Sequence, residues 1–130
     1  MKPMDVYLSH QALLQIEALS LISPGSEGIL CGHKKGQRFF VENILSAPGV
    51  FSAPPERLHR LQGLLQELFL GFFSFDPQKE KNRGMLCPGL VGKVILDINS
   101  RPEKRPSLSA LVIDYDGTFR LLPLKIKKEA

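Results

Sequence analysis

Apolar residues recur at helical spacing in two stretches of the chain. In the first stretch, Leu13 and Ile16 lie on one line and Ser9 stands before them as a helix cap, which predicts a helix over 9–22. The second stretch, 52–68, opens on prolines and then places leucines three or four residues apart. Each pattern predicts a helix with one apolar side for a protein core.

Other segments have the pattern of strands, because they are rich in β-branched and aromatic residues or alternate apolar with polar side chains. The predicted strands are 28–32, 37–46, 70–76, 91–98, 108–113 and 119–126. Asp116 and Gly117 provide the turn signal of a tight hairpin between the last two strands. The charged and amide side chains of 78–84 predict an exposed, mobile loop. This order predicts a single α+β domain over 1–130, with a mixed, mostly antiparallel sheet, two main helices and the first helix packed against the sheet.

The segment 71–77, Gly-Phe-Phe-Ser-Phe-Asp-Pro, places two polar residues near the end of an aromatic strand. Residues two apart on a strand point to the same face, so Ser74 and Asp76 share one face while Phe73 and Phe75 share the other. The polar pair predicts either a ligand-binding position at the rim of the sheet or a strand end that hydrogen-bonds the following loop.

Composition and charge narrow the class of protein. A chain of 130 residues with 43% hydrophobic and 23% charged residues is typical of one globular domain. Its net charge of +4 is spread over several loops and the tail, so we expect no nucleic-acid partner. Without a secretory signal or a membrane span, we expect a cytoplasmic protein that does not contact membranes. Cys31 and Cys87 are expected to be core residues, with a redox pair or a metal site that includes His33 as alternatives.

The order of the elements and three local strings resemble the JAMM domain, also called MPN or Mov34, a family of zinc-dependent isopeptidases. Segment 28–32, Gly-Ile-Leu-Cys-Gly, resembles the family's glycine-framed strand, and 71–77 resembles its Gly-Trp-Tyr-His-Ser-His-Pro motif. Pro88 and Gly89, followed by an apolar strand, resemble the segment after the family's serine and aspartate. The resemblance covers nearly the whole chain and implies an MPN fold of the cytidine-deaminase-like class.

The resemblance implies a zinc centre whose ligands are replaced in this chain. The family uses a glutamate to deprotonate a zinc-bound water, two histidines and an aspartate as ligands, and a serine near the oxyanion. The glutamate position falls on Gly25, with Glu27 two residues later, and the histidine positions fall on Ser74 and Asp76. Segment 78–86 contains neither the serine nor the aspartate. Since a hydroxyl and one carboxylate make a poor zinc site, we expect no metal, no cofactor and no catalytic residue, with Glu27, Ser74 and Asp76 as remnant positions.

These replacements predict a catalytically inactive JAMM-like domain that acts as a protein-binding or scaffold module. The resemblance implies a protein partner, with ubiquitin-like and sulfur-carrier-like proteins as candidates. The alternative is a divergent zinc-dependent isopeptidase or metallopeptidase that has rebuilt its site from Glu27, Asp76 and His33. A third possibility is an unrelated α+β binding module in which the aromatic strand is only core.

Overall fold

The computed structural model describes residues 4–23, 25–75, 79–101 and 104–128. The helices and strands, in chain order, are β1 (Asp5–Leu8), α1 (His10–Ile22), β2 (Glu27–Lys35), β3 (Arg38–Ser46), α2 (Pro55–Leu65), β4 (Phe69–Ser74), α3 (Lys79–Arg83), β5 (Val94–Arg101), β6 (Lys104–Tyr115) and β7 (Phe119–Lys128). Short 3₁₀ helices lie at Val50–Ser52, Gln66–Leu68 and Pro88–Leu90. Every helix in the described ranges is too short or too polar to cross a membrane.

The seven strands close into a barrel in the order β1-β3-β2-β4-β5-β6-β7. Strand β1 completes the closure, because it pairs in parallel with β3 on one side and with β7 on the other. Strands β4 and β5 are also parallel, whereas the other four pairs are antiparallel. Closure removes the sheet edges at which unpaired backbone groups would otherwise be exposed.

The predicted MPN-type α+β fold with two main helices is therefore wrong. The structure is a closed barrel whose α-helices are short, with 13, 11 and 5 residues. The prediction missed β1, which has only four residues and lies before the first helix cap. Without β1 the sheet would stay open, and this difference separates the predicted architecture from the observed one. The predicted exposed loop over 78–84 is also wrong where the structure describes it, since α3 forms there and Asn82 is buried.

Side chains from all seven strands fill the barrel interior. Val6 and Leu8 of β1 are fully buried and, being two residues apart, face the same side of the strand. Helix α1 adds Ala12 and Ile16 to this interior cluster. The Ser9 hydroxyl oxygen caps the helix by accepting a hydrogen bond from the N–H of Ala12 at 3.0 Å. The predicted first helix and its cap are thus confirmed.

A second apolar cluster covers the outer face of β2, β4 and β5. Phe72 and Ile95 are fully buried in it, beneath Val50 and Leu90 of two 3₁₀ helices and Leu58 of α2. The two cysteines pack at the margin of this cluster as free thiols. Strand β4 is consequently buried on both faces, so any polar side chain on it must find a partner inside the protein.

Gly71 allows β4 and β5 to approach each other closely. A methyl group on its Cα would overlap the carbonyl oxygen of Val94, the residue paired with it in β5. Backbone atoms cannot move aside as the end of a flexible side chain can, so the contact requires glycine.

We expect Gly71→Ala to lower the free energy of unfolding by about 3 kcal/mol, because the added methyl group overpacks a rigid strand pair. Gly63→Ala is the matched control, since a methyl group on that helical glycine meets no atom within 4 Å. The control should raise stability by about 0.5–1 kcal/mol through its better helix propensity. Urea denaturation of both variants tests the comparison, and equal stabilities would contradict the close approach of β4 and β5.

Candidate functional site

Polar side chains from three neighbouring strands meet at one position of the barrel. Glu27 of β2 pairs with Ser74 of β4, and Ser74 in turn pairs with Asp97 of β5. Directly paired residues project to the same side of a sheet, so these three side chains lie in a row. Two residues of α3 cover the row and complete what we call the strand-end cluster: Glu27, Ser74, Lys81, Asn82 and Asp97.

Gly28 allows β2 to approach both β3 and β4 closely beside the cluster. A methyl group on this glycine would overlap the carbonyl oxygen of Leu45 and press on the ring of Phe73. Because β2 can approach β3 and β4 this closely, the neighbouring Glu27 is set directly opposite Ser74.

Lys81 joins Glu27 to Ser74. Its Nζ atom lies 2.6 Å from Oε1 of Glu27 and donates a hydrogen bond of 3.3 Å to Oγ of Ser74. The second carboxylate oxygen of Glu27 accepts a hydrogen bond of 3.1 Å from the N–H of Phe51, and the Lys81 ammonium also lies 5.0 Å from the centre of the Phe51 ring. The side chains of Lys81 and Glu27 are only 21% and 14% exposed, so solvent screens their attraction weakly.

These contacts determine the pKa of Glu27. Burial alone would raise that pKa, but the hydrogen bond and positive charge of Lys81, together with the N–H groups of Phe51 and Gly49, outweigh burial and hold the pKa below its ordinary value of 4.5. The carboxylate is therefore ionised and fully engaged at neutral pH.

Asn82 and Asp97 form the other half of the cluster. The Asn82 amide donates to both carboxylate oxygens of Asp97, at 3.3 and 3.2 Å. Burial raises the pKa of Asp97 above 3.8, and the Asn82 hydrogen bond offsets only part of that effect. Oδ1 of Asn82 is buried and has no hydrogen-bond partner among the described residues. Asn82 thus ties α3 to β5 as Lys81 ties it to β2 and β4.

The serine and the glutamate of the strand-end cluster both contact the Lys81 ammonium. Ser74 is fully buried, and its hydroxyl oxygen accepts a hydrogen bond from the Lys81 ammonium, so the burial keeps this hydroxyl away from a substrate in solution. Glu27 is a weaker base than an ordinary glutamate, because its contacts with Lys81 and the N–H of Phe51 lower its pKa.

The donor set also does not fit the zinc ion that the JAMM resemblance implies. A hydroxyl stands at one predicted ligand position, and the ammonium of Lys81 lies where a cation would meet the Glu27 carboxylate. Within the described ranges, no three histidine, cysteine, aspartate or glutamate side chains converge as metal ligands do.

The predicted site residues have different locations. Glu27 and Ser74 are brought together, although the resemblance put the glutamate position two residues earlier, whereas Asp76 lies outside the described residues. His33 is six residues along β2 from Glu27, about 20 Å away at the usual strand rise, and its Nδ1 lies 2.6 Å from a carboxylate oxygen of Glu42. His33 therefore lies apart from Glu27, and a rebuilt site of Glu27 and Asp76 stays a prediction.

Lys81, Asn82 and Asp97 were not predicted as site residues from the sequence. The first two lay in a segment predicted to be a loop, so no face could be assigned to them. The sequence pattern could have indicated a polar contact at Asp97, because this single carboxylate interrupts the apolar run 94–98. A buried carboxylate requires a polar partner.

The opposite pKa shifts of the two acids predict opposite pH effects. The depressed pKa of Glu27 gives stability that is present above pH 4.5 and is lost as the pH falls through the folded-state value. The raised pKa of Asp97 gives stability that is present below pH 3.8 and is lost as the pH rises through its folded-state value.

We therefore expect Glu27→Gln to be about 1–3 kcal/mol less stable than the natural protein at pH 7, with the deficit shrinking below pH 4.5. Asp97→Asn should instead gain stability relative to the natural protein as the pH rises above 3.8. Urea denaturation from pH 3 to pH 7 measures both trends, with Glu56→Gln on the exposed first turn of α2 as the surface control. A pH-independent deficit in Glu27→Gln would contradict the ionised pair.

Comparisons with known proteins found a structure of similar fold but no matching family. No family model matches this chain, and no curated protein matches its sequence significantly. The structure is similar to the solution structure of protein DSY2949 from Desulfitobacterium hafniense, with a TM-score of 0.60 and 20% identity over 95% of this chain and 94% of that chain. At that identity the likeness shows the fold alone. The JAMM resemblance gains no support from these comparisons and stays a prediction.

Proposed function

We propose that this domain binds a segment of another protein and does not hydrolyse peptide or isopeptide bonds. The observation that carries the proposal is the ion pair of 2.6 Å between Lys81 and Glu27, because it occupies the one described remnant position that could serve as a general base. The full burial of Ser74 beneath the same ammonium supports it further.

Binding requires a surface whose groups are not already used by the protein, and a groove elsewhere on the barrel supplies one. This open groove has a volume of about 420 Å³, within the usual range of ligand-binding clefts. It lies between the β2–β3 hairpin and the chain segments that lead into β4 and β5. Leu68 and Val91 line it and are 59% and 43% exposed, and the rings of Phe39 and Phe69 add buried apolar surface.

Apolar side chains that stand exposed around a cleft are typical of protein-binding surfaces. A segment of a partner could cover Leu68 and Val91 without any change in the barrel. Ubiquitin-like and sulfur-carrier-like proteins are partners suggested by the JAMM resemblance, and we propose them as whole-protein probes. A cytoplasmic location belongs to the proposal and is supported by the free thiols of Cys31 and Cys87.

Selection of a random peptide library displayed on phage tests binding by the folded domain. We expect enriched peptides whose affinity falls about tenfold or more on Leu68→Asp or Val91→Asp, because a charge would be desolvated against the ligand. Leu64→Asp is the matched control, since Leu64 is 82% exposed on α2 and does not line the open groove. Peptides that bind the Leu68 and Leu64 variants equally well would contradict binding in the groove.

The hydrolysis half of the proposal has its own assay. Incubation with zinc and an isopeptide-linked ubiquitin substrate should give no cleavage by the natural protein or by Glu27→Gln. Cleavage that disappears in Glu27→Gln, with the fold intact, would overturn this half and favour the divergent zinc-dependent hydrolase.

A further inference from the structure

We propose that the open groove recognises an acidic peptide segment, whose carboxylates are bound between the ammonium groups of Lys34 and Lys93. This inference rests on the proposed function and specifies the chemistry of the partner. The ligand is a protein segment rich in aspartate or glutamate.

Lys93 is positioned by the groove itself. Its Nζ atom donates a hydrogen bond of 2.8 Å to the carbonyl oxygen of Phe69 and lies 4.9 Å from the centre of that ring. A lysine ammonium has three N–H groups, and no second acceptor is bonded to this one within the part of the chain that the structure describes. The side chain is thus fixed in place while it keeps donors for a ligand.

Lys34 approaches the same groove from β2. Its Nζ atom lies 5.1 Å from the centre of the Phe39 ring, so this ammonium is also held against an apolar surface. The pKa of Lys93 is lower than its ordinary value of 10.5. Burial is the larger cause, and repulsion from the positive charge of Lys34 is the second. Two cations that line one partly desolvated groove repel each other, and an anion bound between them would relieve that repulsion.

The charged residues near Lys34 and Lys93 form no ion pair with either lysine among the described residues. Glu67 lines the groove, but none of the ion pairs between described residues includes it. His33 also lines it, yet its ring already contacts Glu42 and stacks on Phe40 at 4.8 Å. The unmet positive charge therefore belongs to the two lysines.

The groove's mixture of charge and apolar surface favours a peptide as the source of the carboxylates. Leu68 and Val91 provide exposed apolar contacts beside the ammonium groups. In an extended peptide, alternate side chains point in opposite directions, and neighbouring positions can carry an acid and an apolar group. A segment that combines aspartate or glutamate with leucine or valine matches both features.

Fluorescence anisotropy with a labelled hexapeptide of alternating aspartate and leucine tests the inference. Lys34→Glu should weaken binding about tenfold or more, because charge reversal turns attraction into repulsion. Lys93→Met, which keeps the apolar stem, should weaken binding in the same direction. Lys35→Glu is the matched control, since Lys35 is an exposed neighbour that does not line the groove, and it should change the affinity less than about twofold.

Three results would overturn the inference. The first is equal binding of a peptide in which asparagine replaces every aspartate, because the carboxylates would then contribute nothing. The second is equal loss of affinity in the Lys34 and Lys35 variants, which would indicate general charge attraction. The third is tighter binding of a labelled oligouridine with the same loss in Lys34→Glu, because the ligand would then be a nucleic acid. Thermal melting of each variant shows whether it is folded. If Lys93→Met is unfolded, the affinity of Lys34→Glu alone tests the inference.

The two proposals fail in distinguishable ways. If library-selected peptides depend on Leu68 and Val91 but bind Lys34→Glu normally, the acidic ligand is wrong and the peptide-binding function stands. If no peptide depends on Leu68 or Val91, the binding function itself fails.

Discussion

The ion pair between Lys81 and Glu27 connects three parts of this molecule that are distant in sequence. It fastens α3 to the start of β2, places an ammonium over Ser74 of β4, and leaves the other Glu27 oxygen to hold the turn at Phe51. Breaking a pair of this kind leaves a poorly hydrated charge behind, which costs more than the pair itself contributes. The interaction therefore orders the strand ends and holds the Glu27 carboxylate in its ionised form.

Two polar regions of the barrel thus differ in what they can offer a ligand. In the strand-end cluster, Glu27 is neutralised by Lys81, Asp97 is held by Asn82, and the side chains are largely buried. In the open groove, Lys34 and Lys93 carry positive charge that no carboxylate of the described residues neutralises, beside apolar side chains that remain exposed. Physical chemistry favours binding where polar groups lack partners and stability where they are satisfied.

Elements with a strong local signal could be predicted from the sequence. Ser9 and the apolar spacing after it identified α1, and Asp116 with Gly117 marked the hairpin between β6 and β7. Strand β1 could not be recognised, because four residues show little alternation and its two partners lie far along the chain. The alignment of Glu27 with Ser74 was equally inaccessible, since β2 and β4 are far apart in the sequence and no hairpin turn between them fixes their register.

A double-mutant cycle at pH 7, with Glu27→Gln, Lys81→Met and the double variant, measures directly how strongly Glu27 and Lys81 stabilise each other. The same cycle on the exposed pair Asp116 and Arg120 provides the reference, with an expected coupling below about 0.5 kcal/mol. For Glu27 and Lys81 we expect a coupling of about 1–3 kcal/mol in the free energy of unfolding, because their charges are poorly screened. Additive effects at Glu27 and Lys81, within about 0.3 kcal/mol, would contradict the account.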